Sequence, residues 1–288
     1  MKMIAMGAVA WVALCLVPLD PNFGIGTIEK LFLLAPLVVV PLGLELIGVS
    51  GSRVLPAAIP VAASFFFERG WLAAGLTVPW LAVVAVAGIV GLRRFVAGAW
   101  REPVGLCEAA ALLMLPVGGI GLLQSRFGMQ PLGYREPVVL LVAVHFHFAA
   151  FVSPLMASRV VGKNWPVALA VSLGSPVLAL GYILFVPALR LAGATLLVIG
   201  LAATALMTLA KLRGVRPVLA RVLVAASACS VVAAMVYAGV YAVADFFGEV
   251  WIAIPQMART HGVINALGFS VCGLLGWRMA QTNRKEQT

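Results

Sequence analysis

Apolar residues fill long unbroken runs of this chain, with neither the one-face spacing of a surface helix nor the alternation of a half-buried strand. The runs fall at about 3–19, 28–50, 54–67, 71–92, 103–123, 137–157, 165–189, 191–210, 222–245 and 251–277, each bounded by charges or turn-forming residues. Crossing a ~30 Å hydrocarbon core takes about 20 apolar residues at ~1.5 Å of rise each. The pattern predicts an all-α, polytopic transmembrane helix bundle of about ten spans. No polar stretch is long enough for a separate soluble domain, so one integral membrane domain over 1–288 is expected.

The third run is the weakest, being short and holding Pro56 and Pro60. Charge decides in its favour. With ten spans and both termini cytoplasmic, the inside segments hold 14 of the 20 basic residues, among them Arg93, Arg94, Lys211 and Arg213. Outside segments collect Asp20, Glu29, Glu68, Glu136, Asp245 and Glu249. Dropping the third run would move the two largest basic clusters outside, against the positive-inside bias.

Composition agrees. The chain is 63% hydrophobic and 10% charged, with a mean hydropathy of +1.09, whereas soluble domains carry roughly 25% charged residues. The net charge of +10 lies in short clusters between apolar runs, which points to the lipid bilayer and its anionic headgroups, not to nucleic acid. Cys15, Cys107, Cys229 and Cys272 are scattered with no CxxC, as apolar filler. The first 20 residues look like a leader but lack a small-x-small site before Asp20, and Leu14 before Cys15 makes a poor lipobox. An uncleaved first span is expected.

Prolines punctuate most runs, at Pro36, Pro41, Pro60, Pro79, Pro116, Pro154, Pro176 and Pro255. Kinked spans suit a carrier or a cofactor pocket, although proline is common in membrane helices generally. The inverted repeat many carriers show has no matching motif between 1–123 and 137–277.

Against this background three histidines stand out: His145, His147 and His261. A buried imidazole without a partner is costly in a bilayer, so intramembrane ionisable groups face the interior and usually have a task. Counted from the starts of two co-directional spans, all three lie roughly 12–15 Å deep. On an α-helix His145 and His147 point about 200° apart, so only one of them is expected to approach His261. Asn265, one turn beyond His261, is placed to orient its ring. The plain alternative is a structural hydrogen bond between helices, worth about 1 kcal/mol.

The run HFHFAAF (145–151) and the run HGVINALGF (261–269) resemble the two signatures of the YndJ-like family of bacterial multi-pass membrane proteins, roughly HFHYAGF and HGxxNAxGF. Phe148 stands here for the tyrosine and Ala150 for the glycine. The resemblance implies a bacterial cytoplasmic-membrane protein, loosely transporter-like, with His145, His147, His261 and Asn265 as its site. It supplies no substrate and no reaction.

Other polar groups add detail. Glu45 and Glu108 are acidic residues inside spans, near their cytoplasmic ends. They read as a secondary polar site, or as carboxylates paired with Arg53 or Arg101. Arg259 is a candidate for an anionic substrate, or a partner of Asp245 or Glu249. Gly268, Cys272 and Gly276 have the spacing of a helix-packing seam.

Two functions of different class follow. One is a carrier of a small molecule or ion with a midplane histidine site. The other is a redox or accessory protein in which His147 and His261 ligate haem or a transition metal. Three histidines exclude a multi-haem carrier, and the absence of CxxCH excludes covalent haem. HExxH and GxSxG are absent, so an enzyme of the usual membrane-hydrolase kinds is not indicated.

Overall fold

Each of the ten apolar runs holds a helix in the computed structural model, which describes residues 2–17 and 26–286. No strand occurs among the described residues. The helices are α1 (Lys2–Cys15), α2 (Thr27–Leu46), α3 (Leu55–Ser64), α4 (Trp71–Val96), α5 (Pro103–Phe127), α6 (Val138–Ser158), α7 (Trp165–Ile183), α8 (Pro187–Ala210), α9 (Val218–Phe246) and α10 (Ile254–Asn283). Eight are long and apolar enough to cross a membrane; α1 and α3 are shorter. At ~1.5 Å per residue, their 14 and 10 residues reach only ~21 and ~15 Å. The protein is an all-helical integral membrane protein. Asp20, on which the leader reading turned, lies outside the described residues.

Local chemistry sets several helix starts. The Asn164 side chain accepts from Val167 N and caps α7, while Glu29 reaches back to Gly26 N ahead of α2. Pro166, Pro187 and Pro255 stand in first turns, where proline costs no intrahelical bond. Pro60, Pro116, Pro154 and Pro176 are interior.

Contacts divide the chain into two units, residues 1–93 with 112–151, and residues 94–111 with 152–288. In the first, α2 is the central helix, with 78% of its span buried. From Leu31 to Leu44 it is apolar on every face and has no side to offer water. Its middle turn, Ala35–Val39, is π-helical and lies just ahead of Pro41, which cannot donate to the Leu37 carbonyl. Bare backbone at Gly7 of α1 packs against that carbonyl and leaves no room for a Cβ. The short α3 ends on Arg126 of α5. This buried guanidinium donates to Ser64 O at 2.9 Å and Phe67 O at 2.8 Å and lies over the Phe65 ring. A cation at a helix C-terminus satisfies orphan carbonyls and complements the dipole.

In the second unit, α7 and α8 pack through Gly174, Gly181, Gly193 and Gly200, each too close to its neighbour for a side chain. The α9–α10 contact also uses small residues, with a change from the expected spacing. Gly268 meets Ser230 and Gly276 meets Val224, but Gly273, not Cys272, is the residue pressed against Ser227. The reason is local. Within α10, Ala258–Gly262 and Ile264–Val271 are π-helical, and each π turn takes one residue more than an α turn. The seam therefore steps by five residues where α-helical spacing predicts four.

Candidate functional site

The histidines fall into different units. His145 and His147 belong to the first unit and His261 to the second.

On α6 the two-residue offset sends the pair to opposite faces. His145 is exposed, its Nδ1 near Leu141 O at 3.2 Å. His147 is fully buried. Its Nδ1 lies 2.7 Å from the Ala143 carbonyl, and its Nε2 lies 3.0 Å from Trp80 Nε1 of α4. A carbonyl only accepts and an indole N–H only donates. The ring is therefore neutral, protonated on Nδ1, with the Nε2 lone pair held by Trp80. Phe32 of α2 stands edge-on to the imidazole with centroids 5.5 Å apart. A Cβ at Gly118 of α5 would lie 2.5 Å from His147 Nδ1, so glycine is what lets α5 close over the ring. Four helices thus enclose one imidazole, and every polar atom of the pair is satisfied.

His261 is built differently. Its Nδ1 lies 2.8 Å from the Ala234 carbonyl of α9, and Asn265 Nδ2 lies 3.0 Å from Nε2. The carbonyl again places the proton on Nδ1, so Nε2 accepts from the amide. Asn265 retains a second polar atom, Oδ1, which is buried and has no hydrogen-bond partner among the described residues. Ser270 Oγ, five residues on, is likewise buried and unpartnered. Nearby, Ser227 donates to the Phe269 carbonyl at 2.7 Å. The π-helical backbone carries His261, Asn265 and Ser270 together, and single π turns inside α-helices recur at functional sites.

Neither imidazole, so arranged, has a lone pair left for iron, copper or zinc. Among the described residues no group of three or more His, Cys, Asp or Glu stands close enough to hold a metal ion. The donor set does not fit haem or metal ligation by His147 and His261.

Arg259 is exposed, and Asp245, one of its two expected partners with Glu249, is bound by Arg190 at 3.1 Å. Glu108 pairs with Arg159 and, at 3.7 Å, with Arg94; Arg101 was the expected partner. Arg159 stands in the turn after α6, where Ser158 Oγ also accepts from it. Glu45 is half-buried in the last turns of α2, in the unit that does not contain Glu108.

Three residues of these centres escaped the sequence reading: Trp80, Ala234 and Arg126. Trp80 had a legible signal, since an indole N–H deep in a span needs an acceptor as much as an imidazole needs a donor. The Ala234 carbonyl has none, because every residue carries one.

Comparison with known proteins agrees with the two signature runs. The family model described as YndJ-like protein matches residues 30–269. An uncharacterized membrane protein YndJ of Bacillus subtilis (strain 168) is 23% identical over 245 residues, covering 76% of this chain. The chain spans 44% of that relative's length. No solved structure matches. With both histidine runs and most of the chain inside the matched region, this integral membrane protein of the bacterial cytoplasmic membrane belongs to the YndJ-like family.

Proposed function

We propose that the chain is a carrier of a small polar molecule or ion and that the His261–Asn265 pair of α10 is its binding point. One observation carries the reading: a buried, unpartnered acceptor, Asn265 Oδ1, beside a tautomer-fixed histidine on π-helical backbone. Carriers place broken or irregular helix segments where a solute must exchange water for protein. A free acceptor buried among apolar residues is costly unless a donor arrives to meet it. Ammonium, amine, hydroxyl or amide groups supply such a donor.

Tracer uptake into proteoliposomes tests this, with ammonium analogues, amino acids and polyols as probes. Uptake of at least one probe is expected, lost in Asn265→Leu and retained in His145→Ala. Uptake of none, together with a Soret band or stoichiometric metal in the purified protein, would replace the carrier with the redox reading.

The carrier reading includes ten membrane segments, both termini in the cytoplasm, with α1 and α3 as the short members. A reporter fused after Arg284 is then active in the cytoplasm alone. Activity on the far side would overturn that topology.

A further inference from the structure

Arg126 is 4% exposed, and among the described residues its partners beyond Phe65 are two main-chain carbonyls, both on Nη2. Among the described residues its buried Nε has no hydrogen-bond partner, and no carboxylate stands within ion-pair distance of it. A buried charge left in that state is costly.

Two carboxylates lie within electrostatic range of it, Glu136 and Glu29, together with Arg69. Each carboxylate is held by neutral donors. Glu136 Oε1 accepts from Ser125 Oγ at 2.5 Å and Oε2 from Leu140 N at 3.2 Å. Glu29 Oε2 accepts from Gly26 N at 2.9 Å. All belong to the first unit, at the end where α3 and α5 finish and α2 and α6 begin. Charges of both signs are present there, yet Arg126 is left without a carboxylate on it. Direct closure of Arg126 on Glu136 would be the simplest arrangement, and Ser125 and Leu140 hold Glu136 away from it.

We propose that this end of the first unit binds a small amphoteric molecule, its anionic oxygen on Arg126 Nε and its ammonium facing Glu136 and Glu29. A lone anion would meet two opposing carboxylates, and a lone cation would meet two arginines. A ligand carrying both charges meets neither penalty. The chemistry is that of an amino acid or of an ethanolamine phosphate, the latter free or as a lipid headgroup. The inference does not depend on the His261–Asn265 site, which lies in the other unit.

Thermal unfolding of the purified full chain in detergent is the test, with glycine, phosphoethanolamine, acetate, inorganic phosphate and ethylammonium as separate probes. Glycine or phosphoethanolamine is expected to raise the melting temperature, and the singly charged probes are not. Protein in vesicles of phosphatidylethanolamine and of phosphatidylglycerol separates the sources. Stabilisation by the first vesicle without free phosphoethanolamine assigns a headgroup; stabilisation by the free compound assigns a solute.

Arg126→Gln should weaken binding by about tenfold or more. Because Arg126 also caps α3, that variant is paired with Glu136→Gln, which keeps an acceptor for Ser125. Glu136→Gln should fold normally and lose the preference for amphoteric probes, with acetate or phosphate now binding as well. Equal stabilisation of the unaltered chain by acetate or phosphate would overturn the proposal in favour of a simple anion site. No response to any probe or vesicle would overturn it outright.

Discussion

The His147 and His261 centres use one motif to different ends. In both, Nδ1 donates to a main-chain carbonyl and Nε2 accepts from a nitrogen donor. The difference lies in what the donor can do next. Trp80 has a single N–H and no acceptor, so the chain of hydrogen bonds ends there. Asn265 has an amide oxygen still to be met. The carbonyls differ too: Ala143 belongs to the same helix as its histidine, whereas Ala234 belongs to α9. His147 is a closed, packed centre on α-helical backbone. His261 is an open one on π-helical backbone. The same residue type therefore closes its hydrogen bonds in one unit and, in the other, leans on an amide whose oxygen is unmet among the described residues.

The sharpest way to break this contrast is to empty the closed centre. Trp80→Ala removes a fully buried ring and the donor to His147, and should cost about 3–5 kcal/mol, read as a large fall in thermal stability. If it costs no more than a surface substitution, His147 is not a packed tie. Trp80→Phe keeps most of the volume and leaves Nε2 unpaired, for about 1–3 kcal/mol. Gly118→Ala presses a methyl onto His147 and should cost a similar ~1–3 kcal/mol.

At the open centre the expected stability change is smaller and the functional one larger. Asn265→Leu removes one hydrogen bond to His261, about 1 kcal/mol, while abolishing tracer uptake. A fall in stability as large as that of Trp80→Ala, with uptake intact, would mean that the two centres are alike. His145→Ala is the control. The residue is exposed and bonded only within its own helix, so a shift within about 0.5 kcal/mol is expected.

Much of this was legible in the residue order because it depends on near neighbours. Apolar runs of span length specify helices in lipid, where only internal hydrogen bonding satisfies the backbone. The four-residue step from His261 to Asn265 carried their contact, and the two-residue step from His145 to His147 carried their divergence. The seam at Gly268 and Gly276 was legible as well, but the residue between them was not. The π turns that move contact from Cys272 to Gly273 have no simple residue signature.

What only the tertiary structure decided are pairings across long stretches of chain. Trp80 meets His147 across 67 residues, Arg126 reaches Ser64 across 62 and His261 finds Ala234 across 27. Glu108 takes Arg159, 51 residues away, where proximity along the chain suggested Arg101. Each distant partner is fixed by which helices pack together, and in a bilayer that choice turns on close fit more than on hydrophobicity, since lipid and side chains are equally apolar. By itself the sequence determined that the chain lives in a membrane and that a polar group buried there needs a partner. Packing alone decided who those partners are, and so which histidine is closed by an indole and which stands beside the unmet Asn265 oxygen.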